Sequence, residues 1–200
     1  DLDRAVKRCM RVRIRTGEFD PPGTCPYQAI PAEVIDCPEH RELARRSARK
    51  TMNLLKNDSG LLPLNVNAID SIFICGPMCD RPTDGNDNKA YGGYSTKSFY
   101  AVNTVQGIQN YVSGKGISVN WTRGMQMTDS SFNLGAYESQ ITNADVVLCV
   151  VGNDGNYARE SSDLSHLELP GAQEAMVQWV QARNPNTVVL LQVGFPVTIN

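Results

Sequence analysis

What the chain lacks narrows its class first. No run of about 18 apolar residues occurs in its 200 positions, so no segment reads as a membrane span. A basic excess is also missing. Nineteen Lys and Arg stand against 21 Asp and Glu, a formal charge of −2, which disfavours nucleic acid as a partner. The opening residues alternate charge with apolar side chains and have no signal-peptide core, although a leader removed in processing is compatible with this. Histidine is limited to His40 and His166, and the six cysteines (Cys9, Cys25, Cys37, Cys75, Cys79 and Cys149) lack the repeated CxxC spacing of a zinc site. With no His/Cys/carboxylate cluster at ligand spacing, no metal is expected. Neither a G-x-G-x-x-G nor a P-loop pattern occurs, and no cofactor is implied. The G-x-S-x-G elbow of a serine nucleophile is absent as well.

What is present is a chain of ordinary globular composition, 41% hydrophobic and 20% charged, long enough for one domain plus an arm. Asp1–Thr16 places Leu2, Ala5, Val6, Cys9, Met10 and Ile14 at helical spacing between basic residues, which predicts an amphipathic helix in need of a covering partner. Pro21, Pro22, Pro26 and Pro31 then rule out a regular element between Gly17 and Asp36, so an extended proline-rich arm is expected. Residues 1–36 thus read as a helix and linker, and 37–200 as the domain proper. A helix is expected from Pro38 to Lys56, capped by Asp36.

Beyond it, strand and helix patterns alternate: strands over 71–75, 117–121, 145–151 and 187–193, helices over 99–111, 133–142 and 171–182. Such alternation predicts an α/β fold, a mostly parallel sheet with helices on both faces. VVLCVV (146–151) and VVLLQV (188–193) are the continuous apolar, β-branched runs of strands buried on both sides. Ligands of such sheets sit at the carboxyl ends of the strands, so the long loops 76–98 and 152–170 are the candidate functional segments.

Several stretches, in order, resemble glycoside hydrolase family 3. DLDRAVKRCMRVRIRTGEFDPP resembles the helix and G-x-F-D segment leaving that family's barrel domain. DCPEHRELARRSARKTMNLLKNDSGLLPL resembles the start of its second domain, IFICGPMCDRP its I-A-V-I-G-P-N-A strand, and AYGGYSTKSFYAVNTVQGI its G-N-Y…T-P-L-x-G-I segment. VVLCVVGNDGNYARESSDLSHLELPGAQEAMVQWV resembles the block from V-V-x-V-V-G-x-D through E-x-E-G-x-D-R to L-P-G-x-Q. The resemblance implies the second, C-terminal domain of a retaining exo-β-glycosidase of β-xylosidase or β-glucosidase type. It implies a nucleophilic aspartate in a barrel domain before residue 1, a sheet continuing beyond residue 200, and β-linked carbohydrate as the partner.

Retaining hydrolysis uses two carboxyl groups roughly 5–5.5 Å apart, one attacking and one protonating the leaving oxygen. Aligned without gaps on VVG and LPG, the second glutamate of the family's E-x-E-G region falls on Glu160 and the first on Ala158; which of the two protonates varies between branches of the family, and Glu160 is the acid/base candidate. Ala158, Ser161 and Leu164 depart from the motif, which leaves open a catalytically inactive, carbohydrate-binding or structural descendant. Asp154 stands where a carboxylate can accept sugar hydroxyls or close an Asx turn with Gly155. Asp163 is a further loop carboxylate, and Tyr91, Tyr94 and Tyr157 offer flat faces to a sugar or serve turn and core. His40 reads as a packing residue and His166 as a surface one. Sequons at Asn57 and Asn120, with the resemblance, point to a secreted, extracellular or lumenal (lysosome-like) glycoprotein. Six cysteines allow 15 full pairings. Cys75 can close a short loop with Cys79 or stay a buried thiol.

Overall fold

The computed structural model describes residues 1–81, 100–155, 157, 159–162 and 164–199. The chain falls into two compact units, Asp1–Asp58 and Ser59–Asn200.

In the first unit, α1 (Leu2–Arg15) carries its apolar stripe of Leu2, Val6, Val12 and Ile14 exposed. The helix ends where the Thr16 hydroxyl donates to the carbonyls of Val12 and Arg13, supplying partners that the helix itself no longer can. The proline-rich stretch is less extended than expected. It contains single 3-10 turns at Pro26–Ala29 and Ala32–Val34, because the φ that proline fixes suits the first position of a turn as well as an arm. Helix α2 (Pro38–Thr51) starts with Pro38 in its first turn, but Cys37 occupies the cap position, and Asp36 sits in the left-handed region at φ 55°. α2 stops at Thr51 instead of Lys56. The Thr51 hydroxyl donates to Ala48 O at 2.8 Å and Asn53 Nδ2 to Thr51 O at 3.0 Å, so side chains take carbonyls that a further turn would have used. His40 is exposed on α2.

The second unit runs β1 (Ser71–Cys75), α3 (Thr104–Val112), β2 (Ser118–Thr122), α4 (Glu138–Asn143), β3 (Val146–Gly152), α5 (Gln173–Gln181) and β4 (Thr187–Gln192). The four strands form one parallel sheet in the order β2-β1-β3-β4. This is the α/β architecture that the alternating pattern predicts. Helix α3 begins later than residue 99 because Asn103 caps it. Its side chain accepts from Gln106 N at 2.8 Å while Gln106 Oε1 accepts from Asn103 N at 3.2 Å. In place of one helix over 133–142, a 3-10 turn at Gly135–Tyr137 leads into the short α4.

Side-chain alternation along the strands builds two cores. Phe73, Cys75, Val147, Cys149 and Val151 face α4 and α5, packing against Ile141, Met176 and Val180. Ile72, Ile74, Val146, Leu148 and Val150 face α3, packing against Val105 and Val112. All seven residues of β3 are buried, which for its valines and leucine is worth about 1.5–3 kcal/mol each relative to exposure. β2 lies at the sheet edge and is largely exposed, with Asn120 among its exposed residues.

The register is pinned at the amino end of the sheet. Asp145 Oδ2 accepts from the backbone N–H of Asp70 and Ser71 at 2.8 Å each and from the Ser71 hydroxyl at 2.9 Å. Asp145 N–H donates back to that hydroxyl at 3.0 Å. These bonds hold the carboxyl of Asp145 below the usual carboxylate range, the Asp70 N–H contributing most. They also align Ile72 with Val146 and bring Cys75 level with Cys149.

Candidate active site

The carboxyl edge of the sheet collects the loops after β1, β2 and β3. Leaving β1, the chain turns at Gly76 (φ 110°), where any Cβ would stand 2.2 Å from Val150 O, so only glycine lets the two backbones approach so closely. Met78 N–H donates to Val150 O at 3.2 Å, continuing the β1 to β3 contact one turn past the strand. Asp80 and Arg81 follow. Asp80 receives Arg123, just beyond β2, through Nε–Oδ1 at 2.6 Å and Nη2–Oδ2 at 2.8 Å, a bidentate fork. Arg81 Nη1 reaches Asp154 Oδ2, just beyond β3, at 2.7 Å. Three loops are thereby stitched in sequence across the edge by two ion pairs.

Asp154 is 1% exposed at its side chain, with Arg81 at 18%. The structure thus adds a third role to the two read from the sequence: Asp154 is bound into the domain through an arginine, and its carboxylate does not stand open. Beside it, Asn153 N–H donates to Gln192 O of β4 at 3.1 Å, while Asn153 Nδ2 is a buried side-chain donor without a hydrogen-bond partner among the described residues.

Glu160 sits further out and is exposed. Arg159 and Ser162 exchange backbone hydrogen bonds at 3.4 and 3.0 Å, closing a tight turn with Glu160 and Ser161 at its tip. Ser161 takes φ 62°, the conformation that a type II turn usually gives to glycine. The serine that departs from the family's glycine therefore keeps the backbone shape a glycine would adopt, and Glu160 projects from a formed turn.

Tyr157 is half-buried against the α3-side core, and its hydroxyl lies 3.3 Å from His166 Nε2, with the rings 6.4 Å apart. His166 Nδ1 is 2.9 Å from Glu168 Oε2. His166 is thus exposed, as a surface residue should be, yet linked on both ring nitrogens. Tyr91, Tyr94, Ala158 and Asp163 lie outside the described residues. Asp80, Arg81, Arg123 and Gln173 escaped the sequence reading, although Gln173 stands in the quoted L-P-G-x-Q block and was a legible signal.

All six cysteines are free thiols. Cys75 and Cys149 face each other across β1 and β3 at 3.5 Å, and both are fully buried. The hydrogen bond to Cys149, with burial, pushes the Cys75 thiol well up, and burial, with Asp80 beside it, pushes Cys79 up to about 12. Among the described residues no three His, Cys, Asp or Glu side chains are grouped to hold a metal ion, and no helix is long and apolar enough to cross a membrane.

Fold and edge together define a three-layer parallel α/β domain that gathers the loops following its strands at the carboxyl edge, where sheets of this kind bind ligands, with the exposed Glu160 held at a turn tip. The order of residues along those loops places it further. The chain belongs to glycoside hydrolase family 3: the model of the "Glycosyl hydrolase family 3 C-terminal domain" matches residues 52–200. Over its whole length it is 32% identical to a β-xylosidase from Formosa agariphila, of which it covers 27%. It is 26% identical to a periplasmic β-glucosidase of Salmonella typhimurium, again over 100% of this chain and 28% of that protein. A β-glucosidase from Listeria innocua, solved in complex with glucose, superposes with a TM-score of 0.76 at 25% identity, over 98% of this chain and 25% of that one. The chain therefore spans about a quarter of the length of these relatives.

Proposed function

We propose that the protein containing this chain is a retaining exo-β-glycosidase that removes terminal non-reducing β-linked sugars, of β-xylosidase or β-glucosidase type. This domain brings the loop of the acid/base, Glu160, and an N-terminal barrel domain brings the nucleophilic aspartate. The observation that carries the reading is the turn of Arg159–Ser162, which presents an exposed carboxylate beyond the carboxyl end of β3. Relatives named β-xylosidase and β-glucosidase support the reaction class.

Residues 1–36 are the last helix of that barrel domain and the linker from it, and 37–200 the α/β domain. The exposed apolar stripe of α1 suits this, since such a face is normally covered in a folded protein. Tyr157, Tyr94 and Asp163 are the further candidates for contact with the sugar, and Asp154 acts by holding the loop through Arg81. The protein is secreted or lumenal and carries glycan at Asn57 and Asn120. The exposed place of Asn120 on the edge strand β2 suits an acceptor.

The test is Glu160→Gln in the full-length enzyme. Loss of a general acid lowers kcat/KM on natural disaccharides by about 10²–10⁴-fold. A wild-type rate there removes Glu160 from the mechanism, whereas no hydrolysis by the unmutated full-length protein favours the catalytically inactive descendant.

A further inference from the structure

Alternate residues of a parallel strand turn their backbone groups to alternate neighbours. In β3 the Val150 carbonyl faces the β1 side, where it accepts from Met78 N–H, while Asn153 N–H faces β4 and donates to Gln192 O. Gly152, two residues after Val150, therefore directs its N–H and C=O to the β1 side. There the strand pairing has already ended, at Cys75 opposite Cys149. Buried backbone groups in this position need a partner.

The side chain of Gln173 supplies it. Gly152 N–H donates to Oε1 at 2.8 Å, and Nε2 donates to Gly152 O at 2.9 Å, so one amide stands in for the missing strand. The second Nε2 hydrogen goes to Met127 O at 3.1 Å, in the segment after β2. Gln173 is fully buried at the start of α5, so water does not compete for these bonds. Gly152 is itself fixed against β4, since a Cβ there would lie 1.9 Å from Gln192 O. On its β1 side, the point at which the Glu160 loop leaves the sheet is thus held by one side chain that also ties it to the loop after β2.

We propose that Gln173 is a positioning residue for the glycosidase reaction: its amide fixes the root of the loop so that Glu160 meets the leaving oxygen. The inference rests on the reading of Glu160 as proton donor. A misplaced proton donor hurts only those substrates whose leaving group needs a proton, and a merely structural defect lowers the rate on every substrate alike.

The experiment measures kcat/KM of the full-length enzyme on a disaccharide and on a dinitrophenyl glycoside of the same sugar, for Gln173→Met, Glu160→Gln and Met176→Ala. Met176 is equally buried on α5 and makes no bond to Gly152, so Met176→Ala reports destabilisation alone. Gln173→Met is expected to lose about 10–100-fold on the disaccharide and under about 3-fold on the dinitrophenyl glycoside, part of the full general-acid effect. Met176→Ala is expected to change both substrates equally. Equal losses on both substrates in Gln173→Met overturn the proposal. Should that variant not fold, Gln173→Glu, which keeps an acceptor for Gly152 N–H, decides by the same ratio. If Glu160→Gln shows the leaving-group dependence and Gln173→Met does not, the positioning role alone falls. If Glu160→Gln shows none, the acid/base reading falls and the positioning role falls with it.

Discussion

Replacing Arg81 by methionine keeps much of its stem and removes the guanidinium from a carboxylate that is 1% exposed. Breaking a buried pair from one side costs about 3–5 kcal/mol, because a charge stays in a poorly solvated site. Arg81 is 18% open to solvent, which places the expected loss at the lower end, about 3 kcal/mol. For a domain of this size that lowers the melting temperature by roughly 6–12 °C, at about 2–4 °C per kcal/mol. The double variant Arg81→Met with Asp154→Leu removes both charges and should recover most of the loss, leaving about 1 kcal/mol, since two apolar groups ask for no partner. Thermal unfolding of wild type, both single variants and the double variant gives the coupling directly, expected at about 2 kcal/mol or more, since any cost of Asp154→Leu alone adds to it. If Arg81→Met melts within a degree of wild type, or the two single effects simply add, the pair does not tie the loops after β1 and β3 together.

Gly152→Ala would set a Cβ 1.9 Å from the Gln192 carbonyl oxygen, a backbone atom that cannot step aside, so a loss of at least about 3 kcal/mol in urea unfolding is expected, and a loss under 1 would show that β4 yields. Iodoacetamide at pH 8 should label exposed Cys9 quickly and leave Cys75, Cys79 and Cys149 untouched until urea unfolds the chain; rapid loss of the buried thiols contradicts their placement. Because folding lowers the carboxyl pKa of Asp145, its contribution is complete above the unfolded value of about 3.9 and is lost as pH falls through the folded one. The stability gap between wild type and Asp145→Ala should therefore be flat from pH 7 to about 5 and narrow below about 4; a gap that widens on acidification refutes the capping role.

Much of the fold was legible because its signals are local. Ser71–Cys75 and the start of β4 at Thr187 fall where the β-branched runs put them, and α1 and α5 differ from the periodic pattern by a residue or two. The misjudged ends have local chemistry that periodicity does not see. α2 stops at a hydroxyl-to-carbonyl bond from Thr51, and α3 waits for the Asn103 capping box. Glu160 could be chosen by alignment, whereas its turn depends on Ser161 accepting a positive φ that serine rarely adopts.

By itself, then, the sequence determined the alternating elements, the parallel sheet and the family, and it singled out Glu160 as a candidate, since each is written in neighbouring residues or in a block of them. Only the tertiary structure decided which polar side chains hold the carboxyl edge of the sheet together. Arg81 meets Asp154 from 73 positions away, Arg123 meets Asp80 across 43, and Gln173 finds Gly152 across 21. Pairings at such separations follow from strand order and from where each strand stops pairing, and no periodicity within a single segment contains that information.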